Sequence, residues 1–202
     1  MPNPYDRPEI AIVGSKSPDQ IHKEVGRAIS NWERYEQTLM WYFRTLMNVH
    51  FFSGEKIFGA ILSSSGRHSL IIAAAEAYFV NYPEKLLEVT KSLNLCRHYT
   101  GLRNDLAHVF IFESYVSNGE KEYFLQPPIY ADSKYKGLSG RSKPIYKYSH
   151  VEVADIADRL YSLSDKVAEL VELTNEWTNT VPKKTIPPLC ENKYSLSLLR
   201  SP

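Results

Sequence analysis

The stretch Ser149–Trp177, SHVEVADIADRLYSLSDKVAELVELTNEW, decides the fold class. Ser149 and Glu152 have the spacing of a capping box, in which a serine and an acid three residues later satisfy the free N–H groups at a helix start. Val153, Ile156, Leu160, Leu163, Val167, Leu170, Thr174 and Trp177 then recur at steps of three and four without a slip. Only one face of an α-helix repeats at that period, so the segment is a long helix carrying a bundle or dimer seam.

Outward from this helix the same period returns. Ser17-Pro18-Asp19-Gln20 opens a first long helix, with serine as cap, proline in the first turn and glutamine three residues on. Its stripe is Ile29, Trp32, Glu36, Leu39, Phe43 and Leu46. A carboxylate within such a stripe is costly unless a partner meets it, which singles out Glu36. A second helical region covers about Glu55 to Tyr82, broken at Ser63–Gly66, and its apolar part from Leu70 to Val80 belongs mid-bundle. A third runs from Pro83 to about His108. Asn118-Gly119 between Val109–Val116 and Tyr123–Leu125 reads as a β-hairpin, with a third short strand at Ile145–Tyr148. The expected architecture is mainly α: a four- to five-helix bundle with a β-hairpin or meander inserted at about 109–148 before the last long helix. Residues 1–16 read as an N-terminal extension, 17–178 as the single domain and 179–202 as a proline-bearing C-terminal tail.

A chain of 202 residues with 43% hydrophobic content and net charge +1 can bury its own core as one soluble globular domain. Cys96 and Cys190 are far apart and form no metal or redox pair, so free thiols in a reducing cytosol are expected. No apolar run suits a signal peptide or a membrane span, and a cytoplasmic protein without a membrane partner is the expectation. The six histidines include no pair four residues apart and no acids at ligand spacing, and no GxxxxGK phosphate loop is present. No metal and no cofactor are expected. Charge is uneven only from Asp132 to Lys147, where Lys134, Lys136, Arg141, Lys143 and Lys147 face one acid, among or beside Tyr130, Tyr135, Tyr146 and Tyr148. Cations there would attract phosphate while rings stack on unpaired bases. The alternative is a solvated, tyrosine-rich meander.

Arg103-Asn104-Asp105-Leu106-Ala107-His108 carries the chemistry. Arginine stays charged and can clamp two phosphate oxygens, while histidine exchanges a proton near neutrality. On one continuous helix Leu95, Tyr99, Leu102 and Leu106 share a buried face, and Leu93, Arg97, Thr100, Asn104, Ala107 and His108 lie nearly opposite. Arg103 and His108 fall about 140° apart, straddling Asn104 and Ala107. A single copy would be open on one side, and pairing with a symmetry mate would make a cleft with both residues in duplicate.

This six-residue run resembles the Arg-polar-…-His signature of the HEPN superfamily, and the wider resemblance covers the bundle from about Ile21 to Trp177. The resemblance implies an all-α bundle that dimerises through this helix. It also implies a metal-independent endoribonuclease of toxin, abortive-infection or RNA-processing type, with an RNA substrate and an antitoxin or other protein partner. Arg103 and His108 match its catalytic pair, Asn104 its polar position, and Glu36 resembles the acid that steadies the arginine. Where some family toxins carry a modifiable tyrosine, this chain has Phe110, so that control is not expected. The implied reaction is transesterification by a ribose 2′-hydroxyl. Arg97 and the basic residues Lys134, Lys136, Arg141, Lys143 and Lys147 would hold RNA. The alternative is a catalytically inactive bundle that binds itself, a protein or RNA, with Glu36–Arg103 as a structural ion pair.

Overall fold

Two long helices form the frame: α1 (Pro18–Met47) and α6 (His150–Thr180), in a computed structural model that describes residues 3–128, 130–131, 134–136 and 143–180. Both starts are capped. Ser17 Oγ accepts the Asp19 N–H at 3.1 Å, but Gln20 takes the N–H of Lys16 at 3.2 Å instead of closing the box on Ser17. At α6 the box does close: Glu152 accepts both the N–H and the Oγ–H of Ser149, at 2.7 and 2.6 Å. The stripe expected on α6 is buried from Val153 to Thr174, and its partner is α1 of the same chain. Arg27 pairs with Asp158, Asn31 donates to the Ala157 carbonyl at 2.8 Å, and Tyr42 accepts from Thr174 at 3.4 Å. These contacts advance together along both helices, so α1 and α6 are parallel. The stripe on α1 is wider than the sequence period indicates, because Ala28, Tyr35 and Tyr42 are buried beside Trp32, Leu39, Phe43 and Leu46.

Between these helices the chain makes α2 (Phe51–Gly59) and α3 (Ser64–Tyr78). Ser63 Oγ accepts the Gly66 N–H at 3.0 Å, which fixes the break and restarts the helix. The apolar part of α3 buries Ile71, Ala74 and Ala75, with α1 and α4 as neighbours, and the cap residue Phe79 is buried too.

The third expected helix is two: α4 (Pro83–Arg97) and α5 (Thr100–Ala107). At the junction His98 N–H bonds Leu95 O and Tyr99 N–H bonds Cys96 O, both at 3.2 Å. Such three-residue steps turn the chain more per residue than the α-helix and shift the phase of the face. Leu93 is therefore fully buried while Leu95 is 37% exposed, the reverse of a single continuous wheel. Tyr99, Leu102 and Leu106 keep their expected place in the core.

The β insertion contains an antiparallel hairpin, β1 (Phe110–Tyr115) and β2 (Lys121–Gln126), turned at Gly119 with φ +83°. A smaller antiparallel pair joins β3 (Tyr135–Lys136) to β4 (Lys143–Pro144). On the side of β2 away from β1, Ser15 bridges Tyr123 and Tyr148 bridges Leu125. The segment expected as an extension thus lies on the fold, with Ala11 and Ser15 buried.

Truncating Leu160 to alanine at this seam should cost about 2–5 kcal/mol in urea unfolding; a loss well under 1 kcal/mol would show that the seam does not carry the core. A second expectation concerns His68, whose Nε2 lies 2.5 Å from Tyr35 Oη between α3 and α1. Burial, helped by Arg97, lowers its pKa from 6.5 to about 4. The neutral ring is the favoured form, so its stabilisation is complete above the unfolded value and is lost as pH falls toward 4. By pH 5 the loss should reach about 2 kcal/mol. Urea melts of wild type and His68→Gln at pH 7 and pH 5 check this, with the smaller acid-induced loss expected in the variant.

Candidate functional site

The short helix α5 sets out the motif in three directions. Arg103 is half-buried; its Nη1 donates to Asn104 Oδ1 at 3.3 Å, and its Nε is buried with no partner among the described residues. It forms no ion pair among those residues. A buried N–H without an acceptor is uncommon, and its cost marks a place where an acceptor would be welcome. α5 ends at Ala107, and His108 departs from helical geometry at φ −126°, ψ 59°. Its exposed ring lines an open cleft of about 540 Å³ together with Ala107, Val109, Phe110, Pro128 and Tyr130. Arg103 is not among the cleft residues, so one chain does not bring the expected pair into a single concavity. Between them Asn104 and Ala107 are exposed, and a Cβ added at Gly101 would meet nothing within 4 Å.

Glu36 does not serve Arg103 in this structure. One carboxylate oxygen pairs with Arg67 Nη1 and the other accepts the Trp32 indole N–H at 3.2 Å. The reason lies in α3, which restarts at Ser63 and packs on α1, bringing Arg67 from its first turn to the buried acid. Both the steadying role expected for Glu36 and the alternative Glu36–Arg103 ion pair give way to a Glu36–Arg67 pair.

Asp105, inside the motif, is the residue that sequence reasoning missed. It is 0% exposed and holds two cations: Arg7 Nε at 2.5 Å and Nη2 at 3.1 Å, and Lys134 Nζ at 3.2 Å. The carboxylate raises the pKa of Arg7, chiefly through this hydrogen bond. Burial, with Asp105 nearby, also pushes up the phenols of Tyr146 and Tyr148, whose rings stack at 5.2 Å. The only sequence signal was an acid next to Leu106 on the buried arc, and its partners lie 98 and 29 residues away. Tyr5 stacks on His98 at 4.8 Å and Arg159 donates to the carbonyls of Pro4 and Asp6, so the N-terminal segment is fastened across α4, α5 and α6.

Much of the expected RNA-binding loop is occupied elsewhere. Lys134 serves Asp105, and Lys147 sits 3.6 Å above the Phe124 ring, where burial lowers its pKa. Tyr146 and Tyr148 are core residues and cannot stack on bases, and Tyr135 donates to the Pro127 carbonyl at 2.7 Å. Lys143 and Tyr130 are exposed, as is Arg97, whose Nη2 lies 3.5 Å from Ser65 Oγ. The Lys136 side chain and Arg141 lie outside the described residues, as does Cys190.

Among the described residues no group of three His, Cys, Asp or Glu side chains could hold a metal ion, and no helix is long and apolar enough to cross a membrane. Comparison with protein-family models, curated proteins and solved structures gives no match.

Replacing Arg7 with alanine leaves the Asp105 carboxylate buried with Lys134 alone and should cost about 2–3 kcal/mol. Urea denaturation measures it; an unchanged midpoint would show that the N-terminal segment is not fastened through Asp105.

Proposed function

We propose that the exposed face of α5 is half of a metal-independent RNA-cleaving site of the HEPN type, completed by a second copy of the chain. The observation that carries the reading is Arg103: a half-buried cation with no ion pair among the described residues and an orphaned Nε, five positions before an exposed histidine. An anionic acceptor such as a phosphate answers that chemistry. His108 opens onto a cleft walled by Phe110, Pro128 and Tyr130, surfaces against which an unpaired base can lie. Because Arg103 lies outside that cleft, the arginine meeting a phosphate beside His108 comes from the partner copy. The flat, small-residue strip of Gly101, Asn104 and Ala107 is the face across which two copies approach.

In this mechanism a ribose 2′-hydroxyl attacks the adjacent phosphorus, the P–O5′ bond breaks, and a 2′,3′-cyclic phosphate and a 5′-hydroxyl result. His108 exchanges the proton, a role worth about 10²- to 10⁴-fold. Arg103 neutralises the equatorial phosphate oxygens, and Asn104, already bonded to Arg103, orients it. Exposed Arg97 and Lys143 remain as backbone contacts. A second reading, an inactive module that binds a partner through the α5 face, draws support from the same separation of Arg103 from the His108 cleft.

The test is cleavage of single-stranded RNA, with products identified by mass spectrometry. Cyclic phosphate ends that persist with chelator present are expected, with all-DNA strands left intact. Arg103→Ala and His108→Ala should each slow the reaction by about 100-fold or more without lowering the melting temperature. Absence of cleavage by wild type, or full activity in His108→Ala, sinks the reading.

A further inference from the structure

Away from the α5 face, a cleft of about 220 Å³ opens between α3 and α4, where Ile72 and Ala73 form an apolar floor between His68, Asn94 and Arg97 on one side and Glu76 farther along α3. Arg97 meets Ser65 at the start of α3. Glu76 is eleven residues on, roughly 16 Å along the axis at 1.5 Å per residue. The cation therefore lies toward the start of α3 and the acid toward its end.

His68 is 2% exposed, and its Nε2 is committed to Tyr35. Tyr35 has no other hydrogen-bond partner among the described residues. A buried phenol must place its proton somewhere, so Tyr35 donates to Nε2 and the ring carries its own proton on Nδ1. Burial keeps the phenol protonated and the imidazole neutral near pH 7. His68 lines the cleft, and in this tautomer its Nδ1–H is left without a partner among the described residues. Asn94 adds an amide and Arg97 a guanidinium without an ion pair among the described residues, whereas the Ser69 hydroxyl donates to the Ser65 carbonyl at 3.1 Å.

We propose that this cleft binds a phosphate group, with Arg97 supplying the charge and His68 and Asn94 the neutral donors. Donors arriving from two helices suit a tetrahedral anion with several acceptor oxygens better than a planar carboxylate. The volume admits a phosphate with part of an attached group, so free phosphate and a nucleoside monophosphate share the recognising chemistry. Phosphate binding here needs no RNA cleavage, although Arg97 is shared with the RNA contacts proposed above.

Histidine ring signals in long-range ¹H–¹⁵N NMR at pH 7 and constant ionic strength provide the test, with inorganic phosphate, adenosine 5′-monophosphate and acetate as probes. A saturable shift of the His68 signals with the first two and not with acetate is expected. Tighter binding of the nucleotide would identify a phosphomonoester as the source, and equal binding the free ion. Arg97→Gln, a change at an exposed side chain, should weaken binding roughly tenfold or more, and Asn94→Ala by less. No shift, the same shift with acetate, or unchanged affinity in Arg97→Gln overturns the proposal.

Discussion

Everything else in the molecule is arranged around the parallel packing of α1 on α6. Parallel neighbours cannot be joined by a short turn, so the chain must travel back the length of the bundle before α6 begins. The described residues between 48 and 149 make that return, and they hold α2, α3, the α4–α5 pair and the β strands. α4 runs against α6: Val89 shares a crevice with Leu170 and Thr174, whereas Lys166 lies 5.9 Å over the Tyr99 ring at the other end. The motif helix α5 follows at that end, where the N-terminal segment and the sheet also gather.

Asp105 organises that gathering. A carboxylate with no exposure must be neutralised, and the cations that do it come from the two irregular parts of the fold. The consequence for the site is directional. With Asp105 and Leu106 turned inward, Asn104, Ala107 and His108 are turned outward, and Arg103 is left between the two environments. The same six residues therefore contain a structural anchor and a surface with unspent hydrogen-bonding capacity.

The helices were legible in the sequence because burial imposes a period, and the unbroken α6 stripe and the capping serines state it directly. The hairpin was legible from Asn118-Gly119, where the turn occupies positive φ. What was hidden depends on contacts distant in the chain. Nothing local shows that Glu36 meets Arg67 rather than Arg103, or that Asp105 meets Arg7 and Lys134. Nor does a helical wheel register the tightened step at His98–Tyr99, which reversed Leu93 and Leu95. Tyr146 and Tyr148 read as available rings because a short, tyrosine-rich segment has no period to distinguish its buried from its exposed side.

On the proposed reading, Arg103 and His108 act together only across two copies of the chain. Mixing the Arg103→Ala and His108→Ala proteins tests it most directly. A heterodimer then holds one site with neither group and one with both, so random exchange should restore roughly a quarter of wild-type RNA cleavage. If the two variants stay inactive after subunit exchange while wild type cleaves, the site is not shared between copies.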